Sequence, residues 1–154
     1  MPLNSVTLKQ ALMPFMAPPS TAGYPKTFGQ FGASFAQALT AYYSLCTIPS
    51  LTIANAELSC KALALTVPDP PVAMYPRALE QLVEAYFAVY APGTLPTFAT
   101  TPPPVPIDFS PVYALGTAGA TGESIVSLFA TIVDAWARTA LAVQTSTGVT
   151  IPYS

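Results

Sequence analysis

Residues 92–122 read PGTLPTFATTPPPVPIDFSPVYALGTAGATG. Two features of this stretch pull in opposite directions. Prolines at 92, 96, 102–104, 106 and 111 forbid a continuous helix, because an interior proline loses a backbone hydrogen bond and clashes with the preceding turn, at a cost of about 3 kcal/mol. Yet the stretch carries Leu95, Phe98, Val105, Ile107, Phe109, Val112, Tyr113 and Leu115. Disordered linkers hold few large apolar groups, and so long a loop is unusual in a compact domain. The expected solution is an extended arm that wraps over helices, of this chain or of a neighbour.

Outward from this arm, the remaining prolines mark where helices can lie. Pro14, Pro18, Pro19 and Pro25 break the first part of the chain, and Pro68, Pro70, Pro71 and Pro76 the middle. A short first helix is expected after Ser5, with Ser5 as its N-cap. A second is expected from Lys26 to Leu45, with Phe28, Phe31, Phe35, Leu39 and Tyr42 recurring on one face. Gly29 and Gly32 weaken it by about 1 kcal/mol each, or else allow close helix packing. Residues 51–66 mix helical and strand signals, and their alanine content favours helix. A fourth helix starts at Pro76, a good first-turn residue. A fifth runs from Glu123 to Gln144 with the stripe Ile125, Leu128, Phe129, Ile132, Trp136 and Ala140. The expected fold class is all-α: a single helical domain over 1–154, built as a small bundle of four or five helices. Segments 1–25 and 92–122 are its Pro-rich extended parts, and 145–154 can behave similarly.

Composition narrows the function. Hydrophobic residues make up 52% of the 154 and charged residues 8%, against about 25% charged in ordinary soluble domains. Such a surface needs cover from lipid, ligand or protein. Lipid fits least, because a membrane helix needs roughly 20 nearly uninterrupted apolar residues. The best candidate, Ser124 to Val143, carries Asp134 and Arg138 in its middle. Met1-Pro2-Leu3-Asn4-Ser5 lacks the basic start of a signal peptide, so synthesis in the cytoplasm is expected. Five scattered basic residues and a net charge of −2 argue against nucleic acid, whose affinity comes from Lys and Arg on phosphates.

The charges themselves are spaced as helix pairs: Glu57 before Lys61, Asp134 before Arg138, and Arg77 before Glu80 and Glu84. The plain expectation is a solvated stripe on each helix, worth roughly 0.2–0.5 kcal/mol per pair. The sharper one is buried or inter-subunit pairs that fix geometry.

Little here points to catalysis. The chain has no histidine, which removes histidine triads and most transition-metal sites. Glu80 and Glu84 form a close acidic pair one turn apart, without any other feature of a sugar cleft. No glycine-rich phosphate loop follows a strand. No cofactor or metal is expected, and no enzymatic role. Cys46 and Cys60 fit buried thiols best; an internal bridge and a bridge between subunits stay open. If 51–66 is helical, the two lie too far apart for an internal bridge. Aromatic residues at helical spacing read as core. Those in the Pro-rich segments and at the chain end are the candidate interface anchors: Tyr24, Phe98, Phe109, Tyr113 and Tyr153.

Between Pro76 and Thr139 the chain resembles a known pattern. Ala78-Leu79-Glu80 and Tyr86-Phe87 precede Thr101-Pro102-Pro103-Pro104-Val105-Pro106. A final helix follows, with Leu128-Phe129-Ala130-Thr131-Ile132-Val133-Asp134-Ala135-Trp136. This order is similar to that of small Ala/Pro-rich structural proteins of tailed-bacteriophage virions. The resemblance implies a virion component whose partners are other virion proteins and copies of itself, and it carries over no catalytic residue. The expected function is therefore structural, as a capsid decoration, neck or tail protein. The rival readings are a binding module for a hydrophobic small molecule or lipid, and a membrane-active helical protein.

Overall fold

The computed structural model describes residues 3–68 and 75–154, except for the side chains of Thr21 and Tyr75. Among them, six helices are joined by a small antiparallel sheet. The helices are α1 (Ser5–Met16), α2 (Phe28–Tyr43), α3 (Ile53–Thr66), α4 (Tyr75–Tyr90), α5 (Ser110–Thr117) and α6 (Gly122–Ala137). The strands are β1 (Phe98–Thr101), β2 (Leu141–Gln144) and β3 (Thr150–Pro152), in the order β1-β2-β3. The class is mainly helical, which corrects the expectation of a purely α fold.

The correction falls at the end of α6. The expected helix to Gln144 stops at Ala137, and β2 pairs with β1 from Phe98↔Gln144 to Thr101↔Leu141. The arm offers an open strand edge there, and Leu141 and Val143 lean to one face of a ladder. Tertiary pairing outweighs the helical preference of the alanines. Gly148, at φ +71°, closes the β2–β3 hairpin, a backbone conformation that glycine adopts without penalty.

The helix starts follow capping chemistry. Asn4, not Ser5, caps α1, its side chain accepting from Val6 N–H at 2.8 Å. Pro14 sits inside α1; the carbonyl it leaves unpaired is that of Gln10, an exposed residue. Thr27 caps α2 by accepting from Gln30 N–H, a free helix-start donor, while the Gln30 amide oxygen accepts from the N–H of Lys26, the residue before the cap. Thr121 caps α6 in the same way from Ser124.

The helices pack in the spatial order α6, α1, α2, α3, α4. The contact of α2 with α3 is close because α2 offers glycines. A Cβ at Gly32 would lie 2.0 Å from the Cβ of Ala64. The second of the two sequence readings of these glycines therefore holds. Inside the bundle, aromatics divide into two groups along α2. Phe28, Phe31 and Phe35 stack in series, and Phe35 meets Phe129, which stacks on Phe109 at 4.3 Å. At the other end Tyr43 lies against Tyr42, Tyr86, Phe87 and Tyr90.

Most of these tyrosines satisfy their hydroxyls. Tyr90 donates to Ile48 O, Tyr42 donates to Asp134, and Tyr86 pairs with Thr40. Tyr43 is fully buried and its hydroxyl has no partner among the described residues. A buried polar group without a hydrogen bond costs about 1–3 kcal/mol. Tyr43→Phe removes that group and keeps the ring, so it should raise stability by about 1 kcal/mol. Urea titration of both proteins checks this; a lower midpoint would show that the hydroxyl contributes.

Candidate interaction surface

The few charges are mostly committed within the chain. Among the described residues, four of the five basic side chains pair with acids of the same chain: Lys9–Glu123 at 2.9 Å, Lys61–Glu57 at 3.5 Å, Arg77–Glu80 at 3.6 Å and Arg138–Asp134 at 2.9 Å. The Lys9 ammonium beside Glu123 holds that carboxyl below its ordinary range. Asp134 also accepts from the buried Tyr42 hydroxyl at 2.6 Å, and Arg138 reaches the carbonyl of Leu3. Parts of both sequence readings hold for the pairs expected along single helices: the Arg77 side chain is exposed, whereas Asp134 and Glu80 face inward; Lys9–Glu123, which joins α1 to α6, was not expected.

The acidic pair on α4 has a structural task. Glu80, 8% exposed, accepts from Phe109 N–H at 2.9 Å, and Glu84 accepts from Ile107 N–H at 3.2 Å. The arm runs antiparallel to α4. Two residues of extended chain advance about 6.6 Å, and four of a helix advance about 6 Å, so carboxylates one turn apart meet alternate arm N–H groups. The Trp136 indole N–H donates to Val105 O at 2.8 Å and adds a tie from α6 to the arm. Residues 102–109 are therefore an arm laid over the chain's own helices, as one of the two sequence alternatives held. The rest of the expected extended segment departs from that picture: it forms β1 before this stretch and α5 after it.

This folding back decides the fate of the five expected anchors. Phe109 and Tyr153 are each 1% exposed and belong to the core. Tyr153 pairs with Thr100 at 2.8 Å and packs on Phe87 and Tyr90. Both expectations are corrected: these rings are used inside the chain because the backbones carrying them are hooked inward. Phe98 is half-buried in β1 against the core. Only Tyr24 and Tyr113 remain well exposed, at 49% and 40%.

Three of the five anchors meet in one place. Tyr24, Tyr113 and Phe109 line a cleft of about 450 Å³ with Phe15, Phe31, Val112 and Ile125. A second cleft of about 620 Å³ runs between α4 and the arm, lined by Phe87, Pro102 to Pro106 and Trp136. Both are within the size range of small-molecule pockets. Sequence reasoning missed a third feature. Leu51, Leu58 and Leu65 are 84%, 61% and 75% exposed, and their seven-residue spacing was the signal that could have revealed them.

Against family models, curated proteins and solved structures, the chain has no match. The site must therefore be read from its own chemistry. Among the described residues there is no cluster of metal-ligating side chains, and no helix is long and apolar enough to cross a membrane.

Both cysteines are free and buried, as their spacing favoured. Burial pushes the Cys60 thiol up to about 12 and raises that of Cys46. Burial likewise raises the phenols of Tyr42, Tyr43, Tyr86, Tyr90 and Tyr153. All these groups stay protonated in the folded chain where the unfolded chain ionises, near pH 9 for thiols and pH 10 for phenols. The unfolded state then binds fewer protons, so stability falls as pH rises. Thermal melts should show a plateau below pH 9 and a steep loss between pH 9 and 12. Tyrosinate absorbance at 295 nm should rise together with unfolding.

Proposed function

We propose that this chain is a structural component of a bacteriophage virion, a capsid-decoration, neck or tail protein that acts by assembly with other virion proteins and with copies of itself. The observation that carries this reading is how the ions are used. Most basic groups are held by acids of the same chain, and the surface keeps large leucines exposed. Burying such surface between subunits yields roughly 25 cal/mol per Å² before the entropic cost of association. The resemblance over Pro76 to Thr139 points to the same setting, and among the described residues Tyr24 and Tyr113 are the well-exposed aromatic groups available to a neighbour. No nucleic acid, membrane or cofactor enters this reading, and no catalytic role. Its place of action is the particle, after synthesis in the host cytoplasm.

The test is peptide mass spectrometry on phage particles banded by density from the source culture. Peptides of this chain at a fixed ratio to the major capsid protein are expected. A chain recovered only outside the particles would overturn the proposal.

The aromatic cleft favours one second reading, a binding module for a hydrophobic small molecule or lipid. Its apolar walls and the two exposed tyrosines among its lining residues suit an amphiphile. Native mass measurement of the purified chain separates the two: a monomer with added lipid mass supports the second, a multi-subunit mass the first.

A further inference from the structure

The outer face of α3 is neutral and apolar, and its residues follow a symmetric order. Ala56, Cys60 and Ala64 face inward, toward α2 and α4. Opposite them lie Ala54, Leu58, Ala62 and Leu65, all exposed, with Leu51 in the turn that leads into the helix. At 3.6 residues per turn, the four helical residues fall within about 40° of a line through Leu58, and Leu51 extends the row from the turn before the helix. Their spacings from Leu58 are seven and four residues on one side and four and seven on the other. The stripe therefore reads leucine, alanine, leucine, alanine, leucine in either direction.

We infer that α3 is a two-fold contact through which the chain pairs with a second copy of itself. A two-fold interface brings one patch onto the same patch, so residue i meets j and j meets i. With the axis at Leu58 and the helices antiparallel, Leu58 meets its own counterpart, Leu51 meets Leu65, and Ala54 meets Ala62. The alanines let the helices approach closely while the leucines fill the space between them.

The flanks agree with this pairing. Glu57 and Lys61 lie on one flank, and Asn55, Ser59 and Thr66 on the other. In an antiparallel pair like flanks meet. Glu57 of one copy then lies about 3 Å along the axis from Lys61 of the other, at 1.5 Å per residue. Opposite charges meet on one side and neutral polar groups on the other. A parallel pair would set Glu57 beside uncharged residues. The helix spans about 21 Å, short of a standard interface taken alone, so micromolar affinity is expected.

The inference rests on the assembly reading and names its first partner, but its test is separate from the particle assay. Sedimentation equilibrium of the full chain from 1 to 200 µM should give a monomer–dimer mass. Leu58→Glu places two carboxylates on the axis and should weaken the dimer at least 100-fold, with an unchanged far-ultraviolet spectrum. Leu58→Cys, treated with a mild oxidant, should form a disulfide-linked dimer, whereas Ser59→Cys should do so far more slowly. A wild-type chain that stays monomeric at 200 µM overturns the inference, as does a dimer that Leu58→Glu leaves intact.

Discussion

Gly32→Ala will lower the stability of this protein by about 1–2 kcal/mol, although it places a better helix former in α2. The propensity gain is about 1 kcal/mol. Against it stands a methyl group whose ideal position is 2.0 Å from the Cβ and 3.5 Å from the Cα of Ala64. Neither atom can rotate away, so α2 and α3 must separate. Their shared core then loses contacts, and overpacking typically costs 1–3 kcal/mol and sometimes more. In a domain of this size that is roughly 2–8 °C in melting temperature. Ala64→Gly should restore much of the loss in the double variant, giving a coupling that single-site effects lack. Gly29 provides the contrast. Its nearest neighbour is the flexible Leu65 Cδ2 at 2.9 Å, so Gly29→Ala should be close to neutral. Thermal melts of the four variants check the set; equal effects at 29 and 32 would refute the close-packing account.

Asp134→Ala should be the most damaging change to a charged residue, at about 3 kcal/mol. The carboxylate serves two elements at once. It accepts from the Tyr42 hydroxyl, whose ring is fully buried, and it holds Arg138 at 2.9 Å. Arg138 in turn reaches the carbonyl of Leu3, just ahead of α1. Removing the carboxylate leaves a buried hydroxyl unpaired, which is costly, and a guanidinium without its counter-ion, which costs less because the Arg138 side chain is 41% exposed. Asp134→Asn keeps an acceptor for Tyr42 and should lose about half as much. Chemical denaturation measures both. If alanine and asparagine prove equally harmful, the charge on Arg138 and not the Tyr42 bond carries the effect.

Five of the six helices were legible because two local signals agreed: proline clusters separated them, and apolar residues recurred at three and four; α5, inside the Pro-rich segment, was not expected. Phe28, Phe31 and Phe35 show this in α2. The sheet was not legible, because its reason is non-local. Leu141–Gln144 continues an alanine-rich helix in composition, and only pairing with Phe98–Thr101 makes it a strand. The expected anchors failed for a related reason. Whether Phe109 faces a neighbour or its own core depends on Glu80, in another segment. The clue was present in the matching repeats, four residues between the glutamates and two between Ile107 and Phe109, but it needs both segments considered together. Tyr24 and Tyr113 stayed outside because no such hook reaches them among the described residues.

The sheet has a consequence for life in a crowd. Its outer strands, β1 and β3, have four and three residues. Pro102, Pro103 and Pro104 follow β1 directly, and Pro152 ends β3. Proline has no N–H to give to an incoming strand, and short, proline-blocked edges deter edge-to-edge growth. At high protein concentration this sheet therefore offers little for edge-to-edge growth into fibrils.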